Sequence, residues 1–169
     1  MKSGDIILMN GSGCVARWIR VLTRSPGERP TLFTHIALAI DDASIVEATF
    51  RGVRSRSYKP RASDFIYSPK FLTSKGRRSI AQRGVQYVGA PYGYGKIVLH
   101  ALDGLLLGAY VFRRLAFLDR APICSWVVAI PYWEVSHYKF AGKVPTSVSP
   151  DDIADDVTNN KEYFSCSKH

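Results

Sequence analysis

Cys124 is the residue best placed to act as a nucleophile, because it follows Pro122 at the predicted start of an apolar helix. Proline is well tolerated at or just before the first turn of a helix, where its missing N–H costs nothing. A thiol at this position feels the positive end of the helix dipole, which favours the thiolate, the form that attacks carbonyl carbons. Most free cysteines are instead small buried hydrophobic residues, so the position alone leaves both interpretations open.

His35 and Glu47 supply the two other groups that a thiol needs for acyl transfer. They lie on two predicted strands joined by a tight turn at 41–43. If the loop has these three residues, Ala37 pairs with Glu47, and His35 and Glu47 become diagonal neighbours on one face of the sheet. A loop of two or four residues would put them on opposite faces. The sequence leaves the loop length open, and both residues are also compatible with plain exposed strand positions.

These three residue types together predict acyl transfer through a thioester. An imidazole that titrates near neutral pH can accept the thiol proton, and a carboxylate on its other nitrogen would fix the tautomer and stabilise the imidazolium. Cys124 would then be the nucleophile, His35 the general base and acid, and Glu47 the orienting residue. The Cys124 backbone N–H would form part of an oxyanion hole. This chemistry needs no metal and no organic cofactor.

The elements that must position these residues predict an α+β fold in a single domain spanning 1–169. Short strands at close spacing favour a small antiparallel sheet or barrel, with helices packed against it. We expect a helical insert at 97–118 and a polar tail from about 155. The other predicted elements are strands at 5–9, 34–40, 45–50, 52–58 and 65–67, helices at 14–23, 74–88 and 123–133, and a short capped helix from 149.

Composition excludes several classes of protein. The chain has 169 residues, 46% of them hydrophobic, which is enough for one domain with a sizeable core. Its net charge of +9 comes from scattered residues without zinc-finger spacing or an aromatic RNA-binding signature, so we expect no nucleic-acid partner. The excess of positive charge fits a solvent-exposed face of the protein. The alternative is a surface that contacts an anionic membrane or cell wall. Three widely spaced cysteines, Cys14, Cys124 and Cys166, disfavour a disulfide framework and a structural zinc site.

The chain is predicted to be cytoplasmic as synthesised, because no apolar signal core follows Met1. The longest apolar stretch, 97–118, is interrupted by charged residues and predicts no transmembrane segment. It fits a pair of core helices, or an apolar surface that touches lipid with Arg113, Arg114 and Arg120 near the headgroups.

Several segments, in order over nearly the whole chain, carry a resemblance to a known family. They are 4–8, 33–38, 45–48 followed by 52–53, 90–94, 123–128 and 148–154. These segments resemble the permuted papain-fold hydrolases of the YiiX/YebB type, relatives of the NlpC-type cell-wall peptidases.

The resemblance implies a circularly permuted papain-like fold, in which the sheet carrying His35 and Glu47 precedes the helix carrying Cys124. It also implies hydrolysis of an amide or ester, or acyl transfer, on a peptide-like or lipid-like substrate, with a cell-wall peptide ahead of a lipid. This chain departs from the family at Trp126, where an acidic residue is common, and at Gly93, where aspartate is common. The alternative function is therefore that of a binding module, which keeps the fold but has lost catalytic activity.

Three further residues are candidates for substrate binding or oxyanion contacts. Tyr92 lies in a glycine-rich aromatic loop, where its phenol could assist an oxyanion or simply pack. Ser125 directly follows the candidate nucleophile. Asp5 follows a glycine at a strand start, where turn formation is the simpler explanation. Cys14 and Cys166 are interpreted as structural or incidental.

Overall fold

The computed structural model describes residues 1–10, 33, 35–93 and 123–168. The predicted helix at 14–23 and the insert at 97–118 lie outside these residues. The described strands are β1 (Ile6–Met9), β2 (His35–Ala39), β3 (Ser44–Thr49), β4 (Gly52–Ser57), β5 (Phe65–Pro69) and β6 (Phe164–Lys168). The described helices are α1 (Ser74–Val85), α2 (Cys124–Ser136) and α3 (Pro150–Asn159), with 3-10 turns at Phe140–Gly142 and Pro145–Ser147.

The six described strands form one antiparallel sheet in the order β4-β3-β2-β1-β5-β6. The α+β class is therefore confirmed, but these strands make an open sheet with β4 and β6 at its edges rather than a barrel. The segment predicted as a polar tail from about 155 contains regular structure: α3 continues to Asn159, and the residues after 163 form β6, which pairs Cys166 with Tyr67 of β5. The small polar residues of β6 gave no recognisable strand pattern.

Side chains along the central strands point alternately to the two faces of the sheet, and both faces are buried. Pairing of Ile7 with Ala37 and of Ile6 with Leu38 sets which side chains share a face. One face packs under the helices and contains Ile6, Leu8, Ile36 and Leu38 together with Val128, Tyr132 and Ile153. The other contains Ile7, Ala37, Ala39, Ile45 and Ile66. A sheet buried on both sides is a rigid support for polar groups at its ends.

Helix α2 runs through the core, and side-chain hydrogen bonds near both of its ends fix its position. Near its start, Ser125 Oγ donates to the Val148 carbonyl oxygen at 2.7 Å. Towards its end, the buried Tyr132 hydroxyl donates to the Gly4 carbonyl oxygen at 2.6 Å. Ile123, in extended conformation, precedes the first helical residue and provides no side-chain cap. The helix begins at Cys124, one residue after the predicted start at 123, and runs three residues beyond the predicted end at 133.

The predicted capped helix from 149 is confirmed as α3. Ser149 Oγ accepts from the Asp152 N–H at 3.1 Å, and the Asp152 carboxylate accepts from the Ser149 N–H at 2.9 Å. This reciprocal pair is a capping box, and Pro150 occupies the first helical position. Among the described helices, none combines the length and the hydropathy that crossing a bilayer would require.

Candidate active site

The turn between β2 and β3 brings His35 and Glu47 together. It contains residues 41–43, and the Ile40 N–H donates to the Ser44 carbonyl oxygen at 2.9 Å. Ala37 pairs with Glu47, so the predicted three-residue register is confirmed. His35 Nε2 lies 3.0 Å from Glu47 Oε2. The imidazole is therefore held by a carboxylate on one of its two nitrogens.

Cys124 lies at the same end of the sheet as His35. It is 4% exposed and packs with Val46, Ala48 and Val53, which belong to the helix-covered face. The register points His35 to the other face, but His35 is the first residue of β2. Its ring therefore stands at the end of the sheet, where it interacts with the Cys124 side chain. Since Nε2 is bonded to Glu47, Nδ1 is the nitrogen left for the thiol.

The surroundings of His35 favour its protonated form. Burial disfavours the charged ring, but hydrogen bonds and charge interactions with Cys124 and Glu47 outweigh it and raise the pKa of His35 from 6.5 to about 9. At neutral pH the ring is therefore an imidazolium placed between Cys124 and a carboxylate.

Two arginines on β4 hold the carboxylate of Glu47. Arg54 lies directly opposite Glu47 and donates to Oε1 from Nε at 3.0 Å and from Nη2 at 2.9 Å. Arg56 donates from Nε to Oε1 at 2.7 Å and from Nη2 to Oε2 at 3.3 Å. The Glu47 side chain is only 3% exposed. Burial opposes ionisation, but the hydrogen bonds from His35 and both arginines hold the pKa of Glu47 well below its usual range.

Sequence reasoning missed Arg54 and Arg56. The signal was present in the alternation Arg54-Ser55-Arg56-Ser57, which puts both arginines on one face of a strand that follows Glu47 after a short turn. The turn itself depends on Gly52. Its φ is +106°, and a Cβ there would lie 2.8 Å from the Ala90 carbonyl oxygen. Val53 donates to that same carbonyl at 2.9 Å, so only glycine permits this close approach beside the edge strand.

Of the three further candidates, the structure brings Tyr92 and Ser125 close to Cys124. Tyr92 packs against the apolar cluster that contains Cys124. The Ser125 hydroxyl is fully buried and bonded to Val148, so its side chain holds α2 in place and does not face a substrate. Asp5 is the exception. It lies at the opposite end of the sheet, where its backbone pairs with Ala39, and its carboxylate binds Arg77.

Trp126 stands where the family that this sequence resembles commonly has an acidic residue. Trp126 is buried, and its indole Nε1 donates to the Thr146 carbonyl oxygen at 3.1 Å. The ring thus ties α2 to the following loop. Gly93 is buried as well, and nothing in its surroundings explains the absence of aspartate. Cys166 is an exposed free thiol on β6, away from this site, and Cys14 lies outside the described residues.

Comparison with known proteins identifies the fold. No family model and no curated protein sequence matches this chain. Among solved structures, the metalloprotein YiiX from Escherichia coli O157:H7 is similar over 99% of this chain and 97% of its own, with a TM-score of 0.55 and 12% identity. The fold is YiiX-like. At this identity the similarity establishes the fold alone, and it agrees with the resemblance seen in the sequence.

YiiX is described as a metalloprotein, so the YiiX-like fold raises the question of a metal here. Within residues 1–10, 35–93 and 123–168, no group of three or more His, Cys, Asp or Glu side chains is placed to hold a metal ion. At the site itself, both oxygens of Glu47 already accept hydrogen bonds from cationic groups. These residues do not fit a resident metal ion.

The raised pKa of His35 predicts how stability depends on pH. A group whose pKa rises on folding stabilises the protein fully below its unfolded value, here 6.5, and loses that contribution as the pH passes through about 9. The linked free energy is about 3 kcal/mol. We expect the free energy of unfolding of the wild type, measured in urea, to fall by about this amount between pH 6 and pH 10. The free energy of unfolding of His35→Gln should not show this fall. NMR of the ring should give a midpoint near pH 9, and a midpoint at or below pH 6.5 would contradict this environment.

Proposed function

We propose that this chain is a cysteine hydrolase or acyltransferase that cleaves an amide or ester bond through a thioester, on a permuted papain-like version of the YiiX-like fold. Cys124 is the nucleophile, His35 the proton donor and acceptor, and Glu47 the residue that orients His35. The observation that carries this proposal is the position of one imidazole between Cys124 and a carboxylate. A buried structural cysteine needs no such partner.

Acylation starts from the ion pair of thiolate and imidazolium. The Cys124 sulfur attacks the substrate carbonyl carbon, and the carbonyl π electrons move onto oxygen. The tetrahedral intermediate collapses by breaking the bond to the leaving nitrogen or oxygen, which takes a proton from His35. The products of this half-reaction are a free amine or alcohol and a thioester on Cys124. The raised pKa of His35 suits the proton-donating step.

Deacylation returns the site to its first state. Neutral His35 removes a proton from water as the oxygen attacks the thioester, and collapse of the second intermediate expels the Cys124 thiolate. A carboxylic acid leaves, or an amide or ester if an amine or alcohol replaces water. Throughout, Glu47 stays ionised and keeps the ring in one orientation, because its pKa lies well below the working pH.

The oxyanion would be stabilised by backbone donors at the start of α2. The first N–H groups of a helix have no intrahelical acceptor, and Ile123 offers no side-chain cap to bind them. The Cys124 N–H is adjacent to the reacting sulfur, so it can meet the oxygen that becomes negative during attack. Tyr92, which packs against the apolar cluster that contains Cys124, would border the substrate on the apolar side.

The test measures thiol reactivity and therefore needs no known substrate. Native protein is treated with iodoacetamide between pH 5 and pH 9, and each labelled cysteine is identified by mass spectrometry. We expect Cys124, although buried, to react at least about tenfold faster than the exposed Cys166 at pH 6, because the thiolate is the nucleophile. His35→Ala should remove this advantage.

The matched control is His137→Asn, which changes an exposed histidine at the end of α2. Its φ of 57° lies in the left-handed region, which asparagine also tolerates. This variant should keep the wild-type rate. If Cys124 reacts no faster than Cys166 and His35→Ala changes nothing, the enzyme proposal fails and a binding module becomes the better interpretation.

A further inference from the structure

We infer that Arg54 and Arg56 form an anion-binding subsite that is linked to Cys124 through Glu47 and His35. The substrate would be an acyl compound that carries a carboxylate or phosphate near the scissile carbonyl. This inference rests on the proposed function and adds the chemical class of the substrate. It starts from the position of both guanidinium groups between Glu47 and solvent.

Both arginines are partly exposed, although they bind a buried carboxylate. The Arg54 side chain is 51% exposed and that of Arg56 is 33% exposed, against 3% for Glu47. Arg54 uses Nε and Nη2 for Glu47, and Arg56 uses Nε and Nη2 for Glu47 and Nη1 for the Ser57 carbonyl oxygen. A guanidinium has five N–H donors, so each group keeps donors for a second acceptor.

Charge at the site also favours an anion. One carboxylate, Glu47, faces three cationic groups, because His35 is protonated at neutral pH. Even with Cys124 ionised, positive charge remains in excess. One arginine would be enough to neutralise the charge of Glu47 in a structural ion pair. The second guanidinium binds the same carboxylate and therefore adds a positive charge that no other buried carboxylate neutralises.

The carboxylate also preorganises both arginines. A free arginine side chain loses rotamer entropy when it binds a ligand, but Arg54 and Arg56 have already lost part of it by binding Glu47. They lie on β4, the edge strand, with no further strand beyond them in the described part of the sheet. A carboxylate or phosphate can therefore approach two fixed guanidinium groups from the solvent side.

The experiment compares two alkylating reagents that differ in charge. Iodoacetate is an anion and iodoacetamide is neutral, and both react with the same Cys124 thiolate. The ratio of their rates therefore cancels any change in the thiolate fraction. We expect the iodoacetate-to-iodoacetamide ratio in native protein to exceed that of Cys124 in the urea-unfolded chain by about tenfold. Arg54→Gln and Arg56→Gln should each lower this ratio by about threefold, the order of magnitude of a single charge interaction in a medium close to water.

Two variants serve as controls. Arg54→Lys keeps the charge and should keep most of the elevated ratio. Arg78→Gln removes an exposed arginine on α1, at the other end of the sheet, and should leave the ratio unchanged. Protection of Cys124 from iodoacetamide by inorganic phosphate but not acetate would indicate a phosphate ligand, and the reverse a carboxylate. Protection by neither would overturn the subsite.

The subsite and the proposed function can fail separately. If Cys124 reacts with iodoacetamide under the control of His35, but the ratio equals that of the unfolded chain or ignores both arginine substitutions, the subsite alone is wrong. If Cys124 shows no enhanced reaction with iodoacetamide, the proposed function fails, and the subsite of its substrate fails with it.

Discussion

Replacing Glu47 by glutamine is expected to lower the free energy of unfolding by about 3–5 kcal/mol at pH 7, the usual result of leaving buried charges without their partner. Glutamine has nearly the same shape but no charge. Arg54, Arg56 and protonated His35 would then face one another around a neutral amide. Urea unfolding followed by circular dichroism measures the loss.

The pH dependence of this loss identifies its cause. Because the pKa of Glu47 is lowered on folding, the carboxylate stabilises the protein above its unfolded value of 4.5, and this contribution is lost as the pH falls below it. The difference between wild type and Glu47→Gln should therefore shrink in acid. It should also shrink above about pH 9, where His35 loses its proton and one of the three cations disappears.

The matched control applies the same substitution to an exposed ion pair. Glu134 is 37% exposed and lies 3.6 Å from Arg83, so Glu134→Gln should cost less than about 1 kcal/mol. Adding Arg56→Gln to Glu47→Gln should restore part of the lost stability, since it removes one unpaired cation. A loss at Glu47 no larger than that at Glu134 would show that the carboxylate does not hold this cluster together.

The parts of the site that the sequence predicted depend on local rules. A three-residue turn fixes the register of two adjacent strands, and the register puts His35 beside Glu47. A proline before an apolar run marks the start of α2, and that start places Cys124 in its first turn. Each rule acts over a few residues, so a single sequence is sufficient to apply it.

Other features depend on contacts between distant parts of the chain. The interaction of Cys124 with His35 requires α2 to pack at one particular end of the sheet, and no local pattern specifies that end. Strand β6 has few apolar residues, and its pairing with β5 gives it strand structure that its own composition does not predict. Asp5 precedes a short strand, and the sequence gives no indication that its partner is Arg77 on α1.

Asp5 is expected to contribute to stability about as much as Glu47 does. Its side chain is 2% exposed, and its carboxylate accepts from the Lys2 N–H at 2.6 Å, from Ser68 Oγ at 2.6 Å and from the Arg77 guanidinium. The group thus joins β1, β5 and α1. Asp5→Asn would put an amide N–H₂ among donors and leave Arg77, only 14% exposed, without a counter-charge. We expect a loss of about 3–5 kcal/mol in the free energy of unfolding.

Stability alone does not distinguish a structural aspartate from a site residue, so reactivity is measured on the same variant. Asp5 pairs with the end of β2 that is farthest from His35, on the order of 13 Å along the strand. Asp5→Asn, studied well below its unfolding transition, should therefore keep the wild-type rate of Cys124 alkylation. Asp41→Asn, which affects only an exposed turn bond to the Ala43 N–H, should change neither quantity by much. Slower alkylation in folded Asp5→Asn would instead place Asp5 among the residues that act on Cys124.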